Sequence, residues 1–494
     1  MSYLELLKLA APETIIVVTA LIVLTIGLTT ARASTFCPIV AALGIVAGIV
    51  ALLRLPPHAN LFGGMLVISP LNSLFKIVCL AFALVTIPFV SSEKSLRNPA
   101  EFLALLLLGA LGLMLLVGSE ELLMIFIGLE LLGLSLYVMA AFDKADIRSA
   151  EAGLKYFLFG STASAFTLFG ISLVYGMSGT TVLAAIGTKF ATGPVTPLLA
   201  VGVVMTLIGF GFKIAAAPFH LWAPDAYQGA PIPSAAFIAS GSKVASFVVL
   251  GKIVLVGFAA IRGSSDWHAM VAGWSPVLAA LAALSILLGN FVALAQTNVR
   301  RLLAYSAVAH GGYTLLGIIA GGREGFSATL FYTSVYAVTL IGAFAVVGAV
   351  RRETGGDDLQ NFAGVAARSP LLAACMSIFL LSLAGLPPLA GFFGKFYLFS
   401  AAFRAGGNHG LLWLVALALF GSFVSLYYYL VPLKVMFVDK SSNSETRHPS
   451  QTPVRLGLTH RFVANATIAL LAAVVLFLGL MPQSLAARIL AALP

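Results

Sequence analysis

Charge is scarce in this 494-residue chain: Asp, Glu, Lys and Arg together make up 9% of it, where soluble domains carry about a quarter. A hydrated surface of the usual kind is excluded, because too few charged side chains exist to cover one. Cysteine is nearly absent. Cys37, Cys79 and Cys375 stand far apart with no C-x-x-C pair, which excludes an encoded iron-sulfur cluster or zinc site and leaves them as small apolar packing residues. No nucleotide fingerprint is complete either: Gly209-Phe210-Gly211 lacks the third glycine and the following acid of a dinucleotide site. The net charge of +10 is read in so apolar a chain as a topology signal in short loops and not as a nucleic-acid surface.

What the chain has instead is hydrocarbon. Residues of apolar type make up 60% of it, in runs of about 20, the length that crosses about 30 Å of bilayer as a helix. The expected fold class is an all-α polytopic membrane protein with about fourteen transmembrane helices. The spans fall near 12–31, 35–53, 69–90, 100–118, 121–141, 151–177, 194–217, 233–258, 275–296, 301–320, 326–349, 368–386, 411–437 and 462–482. Ala31-Arg32-Ala33 has the A-x-A form of a leader cleavage site, but Glu5 and Glu13 precede it against a single Lys8, so a first transmembrane helix is expected there.

Lys and Arg sort unevenly between alternate loops. Loops after odd-numbered spans hold 14 of them, from Arg32 to Arg461, and the other side holds 7, from Lys8 to Arg488. The excess marks the cytoplasmic side and places both termini on the non-cytoplasmic side. The longest polar connections, 351–369 and 439–461, then face the cytoplasm, where a partner could contact them. Two apolar segments are broken in matching fashion, one by AAAPFHLWAP and one by LAGLPPLAGFFGKF. Paired interruptions with prolines and a lysine suggest an inverted repeat with its ion site near the breaks.

Among acidic residues Glu130 alone is expected deep in a span, within 122–142. A central charge there costs about 2.5–3.5 kcal/mol on insertion scales, so a cation is expected beside it. Lys213, Lys243 and Lys395 are the cations of comparable depth, and such residues commonly line ion pathways or pair with one another. Lys76, Lys155, Lys252 and Lys434 lie in or near span ends, where snorkelling to the interface accounts for them. His310 lies mid-span near Tyr305 and Ser306 and reads equally as a proton carrier or a packing residue. His220, after Pro218, is placed at a helix break, where it and Asp225 could tie off freed backbone. Gly44 and Gly48 say only that helices can approach closely.

The stretches GLELLGLSLYVMAAF, GLKYFLFGSTASAF, GFGFKIAAAPFHLWAPDAYQGAPIPSAAFIASGSKVASF, RLLAYSAVAHGGY and GLPPLAGFFGKFYLFSAAF resemble the antiporter-like membrane subunits of respiratory complex I, the bacterial NADH:quinone oxidoreductase. The similarity covers nearly the whole chain and is greatest to the N-type subunit: the L-type has a long C-terminal extension, and the M-type has glutamate where Lys395 stands. The resemblance implies two inverted five-helix repeats, each with a broken helix, within an enzyme complex of the bacterial inner membrane. It implies a division into 1–99 (three helices), 100–258 (first repeat), 275–437 (second repeat) and 438–494 (a cytoplasmic loop and last helix). Glu130 and Lys213 would be a charge pair, Lys243 the central lysine, Lys395 the terminal lysine, His310 a link between them and Lys155 a further polar position. The chain itself would hold no cofactor; NADH, FMN, iron-sulfur clusters and quinone would belong to other subunits, and its partners would be the M-type and small K-type subunits and the bilayer. The implied function is proton translocation driven by electron transfer elsewhere. The competing readings are a subunit of a multisubunit cation/proton antiporter, and a non-transporting scaffold.

Overall fold

The computed structural model describes residues 3–30, 32–93, 95–193, 195–405, 409–439 and 458–493. Ala31, Lys94, Lys440, Arg447, Arg455 and most of the polar connection 439–461 lie outside them. Twelve helices among the described residues are long and apolar enough to cross a membrane. Two more apolar helices, of 15 and 17 residues, are each followed by a break.

The chain begins with the short α1 (Tyr3–Leu9), then α2 (Ala11–Thr29) and α3 (Ala33–Leu53). A small hairpin, β1 (Ala59–Leu61) and β2 (Leu66–Ile68), pairs Ala59 with Ile68 and leads to α4 (Pro70–Ser92). Next come α5 (Pro99–Gly118), α6 (Leu122–Ala140), α7 (Ile147–Ser178), the surface helix α8 (Leu183–Ala191) and α9 (Pro197–Lys213). After the first break come α10 (Trp222–Gly229), α11 (Ile232–Phe237) and α12 (Lys243–Lys252). A second hairpin, β3 (Ser264–Asp266) and β4 (Ala269–Val271), precedes α13 (Trp274–Leu294), α14 (Val299–Ala320), α15 (Gly322–Thr354) and the single turn α16 (Val365–Arg368). Then α17 (Pro370–Ala384), the second break, α18 (Ala390–Arg404), α19 (Leu412–Phe437), α20 (Leu458–Leu480) and α21 (Gln483–Ala492) complete the chain. The hairpins, α8 and α21 were not expected from hydropathy, being too short or too polar to register as spans.

Helix starts follow local chemistry. Ser69 and Thr196 each accept a backbone N–H two positions into a helix that begins with proline, a residue whose missing donor is harmless at that point. Glu121, Asp146 and Asn298 cap α6, α7 and α14 in the same way.

An internal repeat is visible in the backbone. Leu122 N donates to Thr181 O and Leu183 N to Glu120 O, while Val299 N donates to Asp357 O and Leu359 N to Thr297 O. In each case a cap residue, Glu121 or Asn298, forms an isolated antiparallel bridge to a strand-like residue, Val182 or Asp358. The long helix before that residue ends on a left-handed glycine, Gly179 or Gly355, the conformation that glycine adopts without strain. Five crossings, an odd number, separate the equivalent points, so the two bridges lie at opposite ends of the bundle. The first break follows Lys213 and carries left-handed Ala215 and a cis Ala217-Pro218 bond; the second follows Ala384 and carries left-handed Gly385 and a cis Pro387-Pro388 bond.

At the second bridge Arg300 pairs with Asp357, both buried, and donates to Ala230 O at 2.9 Å, while Asn298 donates to Asp357 at 2.7 Å. Burial opposes ionisation of Asp357, but Arg300 and Asn298 together hold its carboxyl below the usual range. The connection 351–369 is thus strapped to both repeats. Asp357→Ala strands Arg300 and should cost about 3–5 kcal/mol of stability, read as a lower unfolding temperature of the purified assembly.

Candidate functional site

Glu130 lies midway along α6 and accepts from the Ser164 hydroxyl on α7. Lys213, the last residue of α9, is 7% exposed. Among the described residues the two do not form a direct ion pair. Instead Glu130, Tyr137, Ser164, Thr167 and Lys213 line one cavity of about 20 Å³, room for about one water. Lys213 also sits at the carbonyl end of its helix, where the backbone dipole favours a cation.

The break beyond Lys213 satisfies its own backbone. Ala216 N donates to Gly211 O at 2.8 Å, Ala217 N to the Ser285 hydroxyl of α13 at 2.8 Å, and the Trp222 indole to Phe212 O at 3.1 Å. His220 is buried, in backbone hydrogen-bond contact with Pro218 at the break, with Nδ1 unpartnered and its ring edge towards Tyr305. Asp225 is bound by Lys155 at 2.6 Å and Arg301 at 2.7 Å, joining α7, α10 and α14. Lys155 is 38% exposed, also pairs with Glu151, and is not among the residues lining the Glu130 cavity.

Lys243 follows a π-helical turn, Ile238–Ser242, a widening common at functional sites. Its ammonium donates to Ala307 O and lies 5.1 Å from the centre of the Tyr336 ring. Gly311 lies beside it: a Cβ there would crowd Ile214 O at 3.3 Å and make ordinary contact with Lys243 Nζ at 3.9 Å. One turn away, His310 is held through both ring nitrogens, Nε2 to the Tyr429 hydroxyl at 2.9 Å and Nδ1 to the Tyr332 hydroxyl at 2.5 Å. Tyr429 also bonds Ser306, and the Tyr336 hydroxyl is buried without a partner. Lys395, on α18, donates to Ala384 O at 2.9 Å and the Ser422 hydroxyl at 2.8 Å, and lies 5.3 Å from the centre of the Tyr313 ring. Ala384 is the last residue of α17, so the carbonyl that receives Lys395 is one freed by the break.

Lys243, His310 and Lys395 therefore occupy one tyrosine-lined interior. Their hydrogen bonds go to neutral oxygens, and no carboxylate among the described residues reaches either lysine. Such groups can pass a proton without first breaking an ion pair, and each ring hydroxyl both donates and accepts.

One reading needs correction. Lys76 and Lys252 do not snorkel: they are 2% and 6% exposed, and of the four only Lys434 is exposed. Glu13, near the start of α2, is 7% exposed and pairs with Lys76 at 2.6 Å. A lysine within two turns of the start of α4 looks in sequence as if it can reach water, and only the packing of α2 over it shows otherwise. Tyr429→Phe removes the hydroxyl shared by His310 and Ser306; the expected result is a several-fold slower coupled turnover with assembly unchanged.

A bundle with two matching broken-helix units and a file of buried lysines defines an antiporter-like membrane subunit. The family described as NADH:quinone oxidoreductase/Mrp antiporter, transmembrane, matches residues 119–425, and the chain belongs to that family. It is 45% identical to NADH-quinone oxidoreductase subunit N 2 of Acidobacterium capsulatum over 98% of both chains. It is 40% identical to subunit N of Desulforamulus reducens over 86% of this chain and 85% of that one. A chain of respiratory complex I from Thermus thermophilus superposes with a TM-score of 0.78 at 33% identity, covering 96% of this chain and 98% of that one. A chain of the Mrp complex from a Dietzia species has a TM-score of 0.83 at 21% identity, covering 98% and 97%; that likeness concerns fold alone.

Proposed function

We propose that this chain is the proton-translocating N-type membrane subunit of an NADH:quinone oxidoreductase, with Glu130, Lys213, Lys243, His310 and Lys395 as its relay. The observation that carries the reading is the row of buried cations held on neutral oxygens between two broken helices, in a chain whose relatives are named subunit N. Quinone reduction in other subunits alters the spacing of Glu130 and Lys213. As they separate, the proton on Lys213 moves towards Lys243, then through His310 and the tyrosine hydroxyls to Lys395. Moving it across 100 mV costs about 2.3 kcal/mol, within reach of a change in one buried charge contact.

The working division is 1–99, 100–258, 275–437 and 438–494, with both termini on the non-cytoplasmic side of the inner membrane, as the distribution of Lys and Arg supports. NADH, FMN, iron-sulfur clusters and quinone are assigned to the other subunits, and the M-type and K-type subunits to the flanks of this one. Lys155 takes the lesser part of fixing Asp225 and the second arm of the first break. Glu130→Ala and Lys213→Ala in an assembled complex should each slow quinone-coupled proton pumping; wild-type pumping in both would remove the relay.

A further inference from the structure

Lys252 sits on the opposite face of its helix from Lys243. Nine residues at about 100° each leave the two side chains half a turn apart and about 13.5 Å apart along the axis. Lys243 faces α14 and α15, whereas the Lys252 ammonium reaches Asn72 Oδ1 at 2.5 Å and Val117 O at 2.7 Å, at the end of the bundle that carries the β1–β2 hairpin. On α4, Lys76 follows Asn72 by one turn and so shares its face. It is the partner of Glu13, whose second oxygen is buried with no hydrogen bond. Lys76 thus takes the buried Glu13 carboxylate, and Lys252 is left on neutral oxygens, with Glu120 and Lys76 as the charges that act on it.

Lys252 also forms part of the wall of a cavity of about 1100 Å³, with His58, Glu120, Arg262 and Arg323 as its other ionisable groups. The α-helical segment that carries Lys243 at its start and Lys252 at its end lies between two π-helical turns, Ile238–Ser242 and Ile253–Gly257. Turns of this kind are frequent at functional sites, and any movement of the segment between them displaces both lysines together.

We propose that Lys252, Asn72, Lys76 and Glu13 form a second proton-exchange site, which gives and takes its proton through the hairpin-end cavity and is driven by the same helix segment that moves Lys243. This rests on the relay described above. A proton leaves Lys252 for water in the cavity as the segment lifts the ammonium from Asn72, and returns when the contact is restored; Glu13 and Lys76 set the charge against which it moves.

Asn72→Asp, nearly isosteric, tests this in the whole complex in sealed vesicles. A carboxylate at that position pins the Lys252 proton, because an adjacent opposite charge favours an ammonium by about one to three pKa units, and turnover and pumping should fall by about tenfold or more, with a larger solvent deuterium effect. Asn72 Nδ2 also donates to Val67 O at 2.9 Å, and loss of that bond alone would lower the unfolding temperature of the assembly without enlarging the solvent deuterium effect. Lys252→Arg keeps charge and donors but cannot release a proton, and should be as slow as Lys252→Met. Wild-type pumping in Asn72→Asp overturns the proposal even if the Lys252 variants fail to assemble. Lys243→Arg separates the two ideas: if it stops pumping while Asn72→Asp does not, this inference alone fails, and if it pumps normally the relay itself fails.

Discussion

Burying an ammonium inside hydrocarbon is the constraint on which the rest of this structure depends. Each such group must find oxygen, and unpaired carbonyls are concentrated where a helix ends or is broken, although Lys243 takes the Ala307 carbonyl within α14. Lys395 takes the Ala384 carbonyl at the second break, and Lys213 ends the helix at the first. The breaks, the left-handed residues that shape them and the small residues around them are consequences of holding cations where water is scarce. Fixing those lysines with carboxylates would be easier, but a tight ion pair in low dielectric holds its proton too firmly to pass it on.

The two repeats apply one backbone plan to different chemistry. The first places a lysine before its break and faces it with Glu130 across a water-sized cavity. The second places Lys395 after its break against the Tyr313 ring, with His310 held by tyrosine hydroxyls through both nitrogens. In the relay proposed above, the first arrangement is the charge contact that changes and the second supplies the groups that pass the proton along. The straps at Asp225 and Asp357 tie the halves together without entering either cavity.

Much of this was legible in the sequence. Long apolar runs located the spans to within a few residues, because length and hydropathy are nearly sufficient conditions for a membrane helix. The breaks were legible through Pro218, Pro387 and Pro388. Glu130, Lys213, Lys243 and Lys395 stood out because a charge amid apolar neighbours has no other account. What stayed hidden depends on contacts far apart in sequence: Glu13 on Lys76 across 63 residues and Lys252 on Asn72 across 180. Near a helix end, a paired lysine and a snorkelling one share the same local sequence. The part of Ser285 was hidden for a similar reason, since it takes the freed amide of Ala217 from 68 residues away.

The most direct measurement is the proton yield per NADH oxidised in sealed vesicles by complexes carrying Lys243→Met and Lys395→Met, with assembly confirmed for each. A relay through these lysines predicts that pumping by this subunit is lost in both. Full pumping in both, in intact complexes, would contradict it and leave the chain a scaffold.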